Sequence, residues 1–323
     1  MSKTILLLGA TGTIGRATAR VLLERGHKVI CVVRPASREK AEAAGSQTSG
    51  STVEICEIEN IGDVVVRDGA PVDAIISCMA SRTGVARDAW DVDYHAHMKV
   101  LRAAKAAGVW QMVLLSAICV QKPRLAFQKA KLAFEEELAA SGLDYSIVRP
   151  TAYFKSLSGQ VERLKKGKSF VVFGNGELTA CKPISDRDLA VYIADCLHKE
   201  DRRNKILAIG GPGPALTPRE QGEILFELLG RKPVFQKTPV ALFDLIVGVL
   251  SVGGAVAPPL ATKAELARIG RYYATESMLV LDPESGDYRA DLTPSTGADT
   301  LKEYYKAIIS GDIDDDRGDH AVF

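Results

Sequence analysis

The sequence predicts an α/β fold with a doubly wound parallel β-sheet, and three observations lead to that fold class. Short β-rich apolar runs occur at Thr4–Leu8, Lys28–Val33, Val53–Cys56, Ala74–Ser77, Met112–Ser116 and Tyr145–Val148. Stretches with helical periodicity separate several of these runs, at Ile14–Arg25, Ala89–Ala107 and Leu125–Ala140. A glycine-rich turn directly follows the first run. Such runs are typical of parallel strands covered on both faces, and their alternation with helices implies right-handed βαβ units.

The alternation continues through a predicted helix at Asp186–His198 and a seventh predicted strand at Ile206–Ile209. The next segment, GGPGPALTP, is rich in turn-forming glycine and proline. Thr217 and Glu220 then form a capping-box pattern at the start of a helix. An acidic run, GDIDDDRGDH, lies close to the C-terminus, and we expect it to be a disordered tail.

Composition and charge exclude two classes of protein. The chain has 323 residues, of which 46% are hydrophobic, with 41 Lys plus Arg against 40 Asp plus Glu. Because it can bury a sizeable core, it is not intrinsically disordered. Its net charge of +1 argues against a nucleic-acid partner, since such a protein must neutralise many phosphates.

The cysteines and the N-terminus indicate a cytoplasmic protein without a bound metal. The six cysteines form no CxxC pair, and the five histidines are dispersed. Scattered thiols in apolar runs are typical of a reducing compartment. The apolar run at the N-terminus is too short for a secretory signal and resembles no transit peptide.

The stretch Leu245–Ala257 contains no charged residue and leaves two interpretations open. It is shorter than the roughly 20 residues that a membrane span needs. One interpretation is a buried helix interrupted by a Gly-Gly break. The other is an apolar lid over a large hydrophobic ligand, or a patch that contacts a membrane peripherally.

The glycine-rich turn has the sequence GATGTIG and lies between a predicted strand and a predicted helix. In this context Gly9 allows the tight turn, Gly12 lets the backbone approach a pyrophosphate, and Gly15 allows the helix to pack closely on the sheet. The helix N-terminus adds unpaired N–H groups and a partial positive charge. We therefore predict a Rossmann-type dinucleotide site.

The end of the second strand decides between NAD and NADP. Arg34 stands there, with Arg38 and Lys40 close behind and no carboxylate to hold a ribose 2′-hydroxyl. A guanidinium there can pair with a 2′-phosphate, so we predict NADPH as the cofactor. Glu57, after the third strand, is a weaker candidate for contact with the adenine amine. The complete predicted cofactor set is Gly9, Thr11, Gly12, Thr13, Ile14, Gly15, Arg34, Arg38, Glu57, Cys78, Met79, Ala80, Ser116, Lys131, Pro150 and Thr151.

The glycine spacing and strand order resemble the extended or atypical branch of the short-chain dehydrogenase/reductase superfamily. That superfamily pairs a Tyr with a Lys four residues later, and the matching run here is FQKAK, from Phe127 to Lys131. The Lys is present but the Tyr is not, which argues against ordinary ketone reduction because that reaction needs a strong proton donor. Hydride transfer to an activated carbon–carbon double bond, or NADPH sensing without turnover, remains open.

Longer runs resemble one family more closely: the NADPH-dependent divinyl chlorophyllide 8-vinyl reductases. They are SCMASRTG, LLSAICVQKP, FQKAKLAFE, YSIVRPTAYFKSLSGQVE, ACKPISDRDLA, IGGPGPALTPREQGEILF and GRYYATESMLVLDPESG, which lie between Ser77 and Gly286. The resemblance implies reduction of the 8-vinyl group of divinyl chlorophyllide or protochlorophyllide, a magnesium tetrapyrrole, to ethyl in chlorophyll or bacteriochlorophyll biosynthesis. Together with the cytoplasmic location inferred above, this function leads us to expect a cytoplasmic protein that can lie peripherally on photosynthetic membranes.

The resemblance also suggests residue roles. Lys131 holds the nicotinamide ribose, and Lys131, a water or Tyr153 donates the proton. A substrate cleft would be lined by Phe154, Tyr272, Tyr273 and the 245–257 stretch, with Lys155 or Arg271 on the propionate. The aromatic pair can equally be core packing.

The predicted domains are an NADPH-binding domain at 1–155, completed by 186–210, and a substrate-binding region at 156–185 and 211–323. Two other functions remain open: an isoflavone-reductase-like NADPH reductase of another conjugated double bond, and a non-catalytic NADPH sensor.

Overall fold

The computed structural model describes residues 2–39, 50–254 and 258–314. The strands are, in chain order, β1 (Thr4–Leu8), β2 (Lys28–Val33), β3 (Thr52–Ile55), β4 (Val66–Arg67), β5 (Ala70–Pro71), β6 (Ala74–Ser77), β7 (Gln111–Leu115), β8 (Asp144–Pro150), β9 (Phe170–Phe173), β10 (Lys205–Ile209), β11 (Phe235–Thr238), β12 (Val280–Leu281) and β13 (Tyr288–Arg289). The helices are α1 (Thr13–Glu24), α2 (Gly62–Val65), α3 (Ala86–Ala89), α4 (His97–Ala107), α5 (Ala126–Ala139), α6 (Phe154–Leu157), α7 (Val161–Lys165), α8 (Asp186–Asp195), α9 (Pro218–Leu228), α10 (Ala241–Gly254), α11 (Pro258–Thr275) and α12 (Leu301–Ser310).

The chain divides into two compact units. The first unit comprises Met1–Arg82, Ala86–Pro150 and Asp186–Leu207. The second unit comprises Thr83–Val85, Thr151–Ser185 and Ala208–Phe323. The chain therefore leaves the first unit briefly after Arg82, leaves it again after Pro150, and leaves it for the last time after Leu207.

A seven-stranded sheet organises the first unit, in the order β10-β8-β7-β6-β1-β2-β3. The pairings from β3 across to β8 are parallel, which confirms the predicted doubly wound sheet. The chain builds outward from β1 to β3, then crosses over and builds outward from β6. In sheets of this kind a ligand binds at this reversal point, outside the carboxyl ends of β1 and β6.

Apolar residues on both faces of the strands explain why the sheet is covered by helices. Residues Ile5, Leu6, Leu7 and Leu8 of β1 are all buried, as parallel strands between two helical layers require. Helix α1 buries one side, including Leu22, and it packs against α8. All six cysteines are free thiols, and five of them are buried.

One helix departs from the regular pattern that the periodicity predicts. The predicted helix Ala89–Ala107 is observed, but its segment Trp90–Ala96 is a π-helical turn between α3 and α4. Apolar periodicity predicts a helix over this stretch but does not distinguish a π-helical turn from the α-helix that contains it.

The second unit has its own apolar core. Phe154, Phe170, Phe226 and Tyr305 are buried together there, and β9 pairs with β11 in parallel. The capping box predicted at the start of α9 is confirmed: the Thr217 side chain accepts from the Glu220 N–H. This cap satisfies N–H groups that the first helical turn leaves without an intrahelical partner.

Residues 245–254 of the apolar stretch form most of α10, in which the Leu245, Ile246 and Val249 side chains are exposed. Leu245 and Val249 are each 64% exposed, so the interpretation as a buried helix is wrong. An apolar run without charges is compatible with both locations, which is why its sequence left the choice open. Residues 255–257 of the stretch, and the acidic tail from residue 315, lie outside the described residues. In the described chain, no helix has the length and apolar character to span a bilayer.

Candidate functional site

The glycine loop after β1 has the geometry of a phosphate cradle. Gly9 has a φ of +75°, and a Cβ there would lie 2.6 Å from the Cys78 carbonyl carbon. A Cβ on Gly15 would lie 2.1 Å from the Gly9 oxygen, so only glycine fits where α1 meets the loop. A Cβ on Gly12 would meet only one atom, at 3.4 Å. The backbone at Gly12 therefore faces open space, as the approach of a pyrophosphate requires.

The first turn of α1 adds positive electrostatic potential to this cradle. Thr13 and Ile14 begin the helix, and its first turn carries no acidic residue. The first N–H groups of a helix have no intrahelical acceptor and carry partial positive charge. Arg16 donates to the Thr11 carbonyl at 2.5 Å and so braces the loop. The residues present fit a bound dinucleotide diphosphate.

Arg34, Arg38 and Glu57 follow the carboxyl ends of the neighbouring strands β2 and β3, and all three are exposed. Arg34 directly follows β2, beside the edge of the sheet that carries the glycine loop. The structure thus brings a guanidinium to the side of the loop where the adenosine ribose of a Rossmann-type cofactor lies. Lys40 lies outside the described residues.

The segment from Cys78 to Ala80 follows β6 on the other side of the loop. The Cys78 N–H donates to the Leu8 carbonyl at 2.9 Å, which ties this segment to the end of β1. Burial raises the pKa of the Cys78 thiol to about 12, so this residue is a neutral side chain and not a nucleophile. Met79 packs against the core, and Ala80 is exposed.

Lys131 on α5 points to a buried carboxylate that sequence reasoning missed. Its Nζ donates to Asp93 Oδ1 at 3.0 Å, and the Asp93 side chain is completely buried. Asp93 also accepts from the Ser81 hydroxyl at 2.6 Å. Phe127, at the position where the superfamily has tyrosine, is buried. The described contacts of Lys131 are therefore ionic and involve no phenol.

A neutral histidine lies beside this pair. His97 Nδ1 is 2.9 Å from the Val92 carbonyl, which can only accept, so Nδ1 carries the proton. Nε2 then accepts from the Ser77 hydroxyl at 2.8 Å. Burial, with the nearby Lys131 cation, lowers the pKa of His97 to about 4. The imidazole thus fixes the π-helical turn and the end of β6 without carrying charge.

Ser116 belongs to a second buried network. Its hydroxyl donates to Glu135, and Arg149 pairs with the same carboxylate, with Nε at 3.1 Å from Oε2. The Ser116 hydroxyl therefore keeps only acceptor capacity for any ligand. Pro150 ends β8 directly after Arg149 and is buried. No local pattern marks Glu135 in the sequence, because its partners lie 14 and 19 residues away.

The remaining predicted residues lie in the second unit. Thr151 is buried and donates from its hydroxyl to the Lys182 carbonyl, and Tyr153 forms a bridge to Ile184. Phe154 is buried in the core, with its ring 5.5 Å from that of Tyr304. Lys155 is half-buried on α6. Their assigned roles stay predictions.

The three residues predicted on α11 are adjacent but differ in environment. Arg271 pairs with Asp244 of α10 at 2.5 Å, so its cation already has a carboxylate partner. Tyr272 is buried and Tyr273 half-buried, and their rings meet edge to face at 5.8 Å. Among the described residues, no group of three or more His, Cys, Asp or Glu could hold a metal ion.

Comparison with known proteins agrees with the geometry of the first unit. A model of the NAD(P)H-binding family matches residues 9–200. Of the solved structures, the NADPH complex of the quinone oxidoreductase QOR2 from Escherichia coli superposes with a TM-score of 0.66 at 21% identity, over 94% of this chain and 99% of that one.

Two curated relatives extend the similarity over both units. Divinyl chlorophyllide a 8-vinyl-reductase of Cucumis sativus is 49% identical over 99% of this chain and 79% of its own length. The reductase of the same name from Arabidopsis thaliana is 48% identical over 94% of this chain and 76% of its own length. Identity at this level and coverage shows common family membership. The chain belongs to the family of the divinyl chlorophyllide a 8-vinyl-reductases.

Proposed function

We propose that this protein reduces the 8-vinyl group of divinyl chlorophyllide or protochlorophyllide to ethyl with NADPH, in chlorophyll or bacteriochlorophyll biosynthesis. The observation that carries the proposal is the 49% identity to a reductase of that name over 99% of the chain. The identity includes the second unit, which has no part in the glycine loop. This is the pattern expected when relatives share a substrate as well as a cofactor.

NADPH supplies the hydride when it is bound. The backbone at Gly12 and the first N–H groups of α1 hold the pyrophosphate. Arg34 and Arg38 pair with the 2′-phosphate, because two exposed guanidiniums stand where an NAD enzyme carries a carboxylate. In this proposal the segment Cys78 to Ala80, with Ser116 and Pro150, would border the nicotinamide half.

The residues around Lys131 suit reduction of a vinyl group. Reduction adds a hydride to the terminal carbon and a proton to the inner carbon, and both new bonds are C–H bonds. Negative charge that develops meanwhile spreads over the conjugated macrocycle, so no oxyanion needs a phenol beside it. Lys131 orients the nicotinamide ribose, and Lys131 or a water gives the proton, with Tyr153 as the second candidate. Positioning supplies much of the rate.

The second unit binds the tetrapyrrole in this proposal. Phe154, Tyr272 and Tyr273 are its aromatic candidates, and Lys155 or Arg271 pairs with the propionate. Arg271 already pairs with Asp244 of α10 at 2.5 Å, so it must give up that ion pair to bind the substrate.

Anaerobic incubation of the purified protein with divinyl chlorophyllide tests the proposal. We expect the Soret band to shift to the blue with NADPH and much less with NADH, with the ethyl product confirmed by chromatography. Arg34→Ala should reduce the preference for NADPH, whereas Arg219→Ala, which removes a half-exposed arginine from the second unit, should not. Saturable NADPH binding without conversion would overturn the proposal in favour of an NADPH sensor.

We also propose that the protein works in the cytoplasm and contacts a photosynthetic membrane peripherally through residues 245–257. The support is the exposed apolar face of α10, where Leu242 is 42% exposed and Leu245 and Val249 64% each. Liposome flotation of the native protein should show association that the double variant Leu245→Glu/Val249→Glu loses. Val234→Glu changes another exposed apolar residue and is the matched control. Equal flotation of all three proteins would contradict the membrane contact.

A further inference from the structure

Asp93 is a buried carboxylate, and its hydrogen-bond partners include Lys131, which the proposed reaction places at the nicotinamide ribose. Its side chain has no exposed surface, and the Lys131 side chain is 11% exposed. Its oxygens accept from Lys131 Nζ at 3.0 Å, from the Ser81 hydroxyl at 2.6 Å and from the Ser81 N–H at 3.2 Å. Burial of a charge is costly unless the charge is paired and hydrogen-bonded. The Asp93 carboxylate therefore depends on these partners, unlike an acid in a surface ion pair.

The backbone is shaped locally to place this carboxylate. Asp93 lies in the middle of the π-helical turn, the only departure from α geometry within the described helix from 86 to 107. The His97 side chain donates to the Val92 carbonyl and so holds the turn from inside. Single π-helical turns within longer helices often occur at functional sites. Within this turn Asp93 contacts Lys131 of α5.

We propose that Asp93 is a positioning residue that acts through Lys131. The carboxylate takes one of the three ammonium donors and fixes the direction of the others, which then reach the nicotinamide ribose. Its negative charge keeps the ammonium in place when no cofactor is bound. Ser81 orients the carboxylate. The inference rests on the proposed function, since the role of Lys131 does.

A neighbouring acid provides the matched control. Asp91 lies two residues earlier in the same turn, but its side chain is 61% exposed and pairs with Arg87 only at 3.7 Å. Asp91→Asn therefore removes the same charge from the same helix without touching Lys131. Within α5, Lys129 is exposed and serves as an internal reference for the chemical reactivity of Lys131.

The test measures NADPH binding and lysine acetylation in the protein without substrate, then turnover. Asp93→Asn should raise the Kd for NADPH about tenfold, since a lost charge-assisted hydrogen bond corresponds to a change of that order. It should also increase acetylation of Lys131 relative to Lys129 and lower kcat by a similar factor. Asp91→Asn should leave all three unchanged. Asp93→Glu retains the charge and should recover part of the loss.

A double-mutant cycle separates positioning from general support of the fold. If Asp93 acts through Lys131, Asp93→Asn should change the Kd for NADPH little in a Lys131→Met background. An equal change in both backgrounds, or an unchanged Kd in Asp93→Asn itself, would overturn the inference. Where Asp93→Asn does not fold, Ser81→Ala takes its place in the same cycle, with the same two outcomes. Failure of the wild-type protein to convert divinyl chlorophyllide would count against the proposed function alone, because the Kd and acetylation measurements need no substrate.

Discussion

Protonation of His97 should destabilise the first unit in acid by an amount that can be worked out from its surroundings. Burial lowers the pKa of His97 to about 4 in the folded protein, against an ordinary value of 6.5. The unfolded chain therefore takes up this proton first as the pH falls. The contribution to the free energy of unfolding is constant above pH 6.5, falls between pH 6.5 and 4, and levels off below pH 4. Between pH 7.5 and pH 5 the loss is about 2 kcal/mol, and the full loss is about 3 kcal/mol.

The assay compares urea unfolding of the native protein with that of His97→Gln at the two pH values. Both tryptophans, Trp90 and Trp110, belong to the first unit, so their fluorescence reports on it directly. Burial also lowers the pKa of His27 and of His198. These and other groups contribute equally to the acid-induced loss of stability in both proteins. The variant should therefore lose about 2 kcal/mol less than the native protein on acidification.

Equal losses in the two proteins would refute the reasoning. So would an NMR titration that finds the His97 resonance, assigned by its absence from His97→Gln, moving near pH 6.5. Either result would mean that the imidazole accepts a proton without breaking its contacts to Ser77 and the Val92 carbonyl.

Three further predictions concern binding and stability. Arg34→Ala should raise the Kd for NADPH by about 10- to 100-fold and leave that for NADH unchanged, as calorimetry would show; parallel changes would place Arg34 away from the 2′-phosphate. Gly15→Ala should lower the unfolding free energy by about 1–3 kcal/mol and abolish NADPH binding, whereas Gly12→Ala should mainly weaken binding. Equal stability of the two variants in urea would contradict the close approach of residue 15 to the Gly9 oxygen. Glu135→Gln should lower the unfolding free energy by about 3 kcal/mol, because the half-buried Arg149 then lacks its counter-charge. A loss below about 1 kcal/mol would show that water replaces the carboxylate.

The features that the sequence predicted well depend on contacts between residues close along the chain. Gly9, Gly12 and Gly15 lie between a strand and a helix, so their spacing and context were enough to predict the cradle. The Thr217 capping box joins residues three apart. The strand pattern predicted the sheet, because a strand buried on both faces must be apolar throughout.

The features it missed depend on tertiary contacts. Asp93 looked like an ordinary acid on a helix, since neither the π-helical turn nor the approach of Lys131, 38 residues later, leaves a local pattern. Glu135 was hidden for the same reason. The apolar composition of the stretch after Leu245 was visible in the sequence, but its exposure was not. Exposure depends on which elements pack against a helix, and the residues of the helix alone do not show this.

The order in which the chain visits the two units constrains how the protein can be made and dissected. Strand β10 completes the edge of the sheet beside β8, yet residues 151–185 of the second unit are synthesised between those two strands. During synthesis, the edge of β8 remains unpaired until β10 has left the ribosome. An unpaired strand edge can form hydrogen bonds with another chain. A fragment that ends near residue 150 would keep this edge open permanently. A cofactor-binding fragment that ends near residue 150 would therefore be unsuitable for expression. A suitable fragment would join residues 1–150 to 186–209 by a linker.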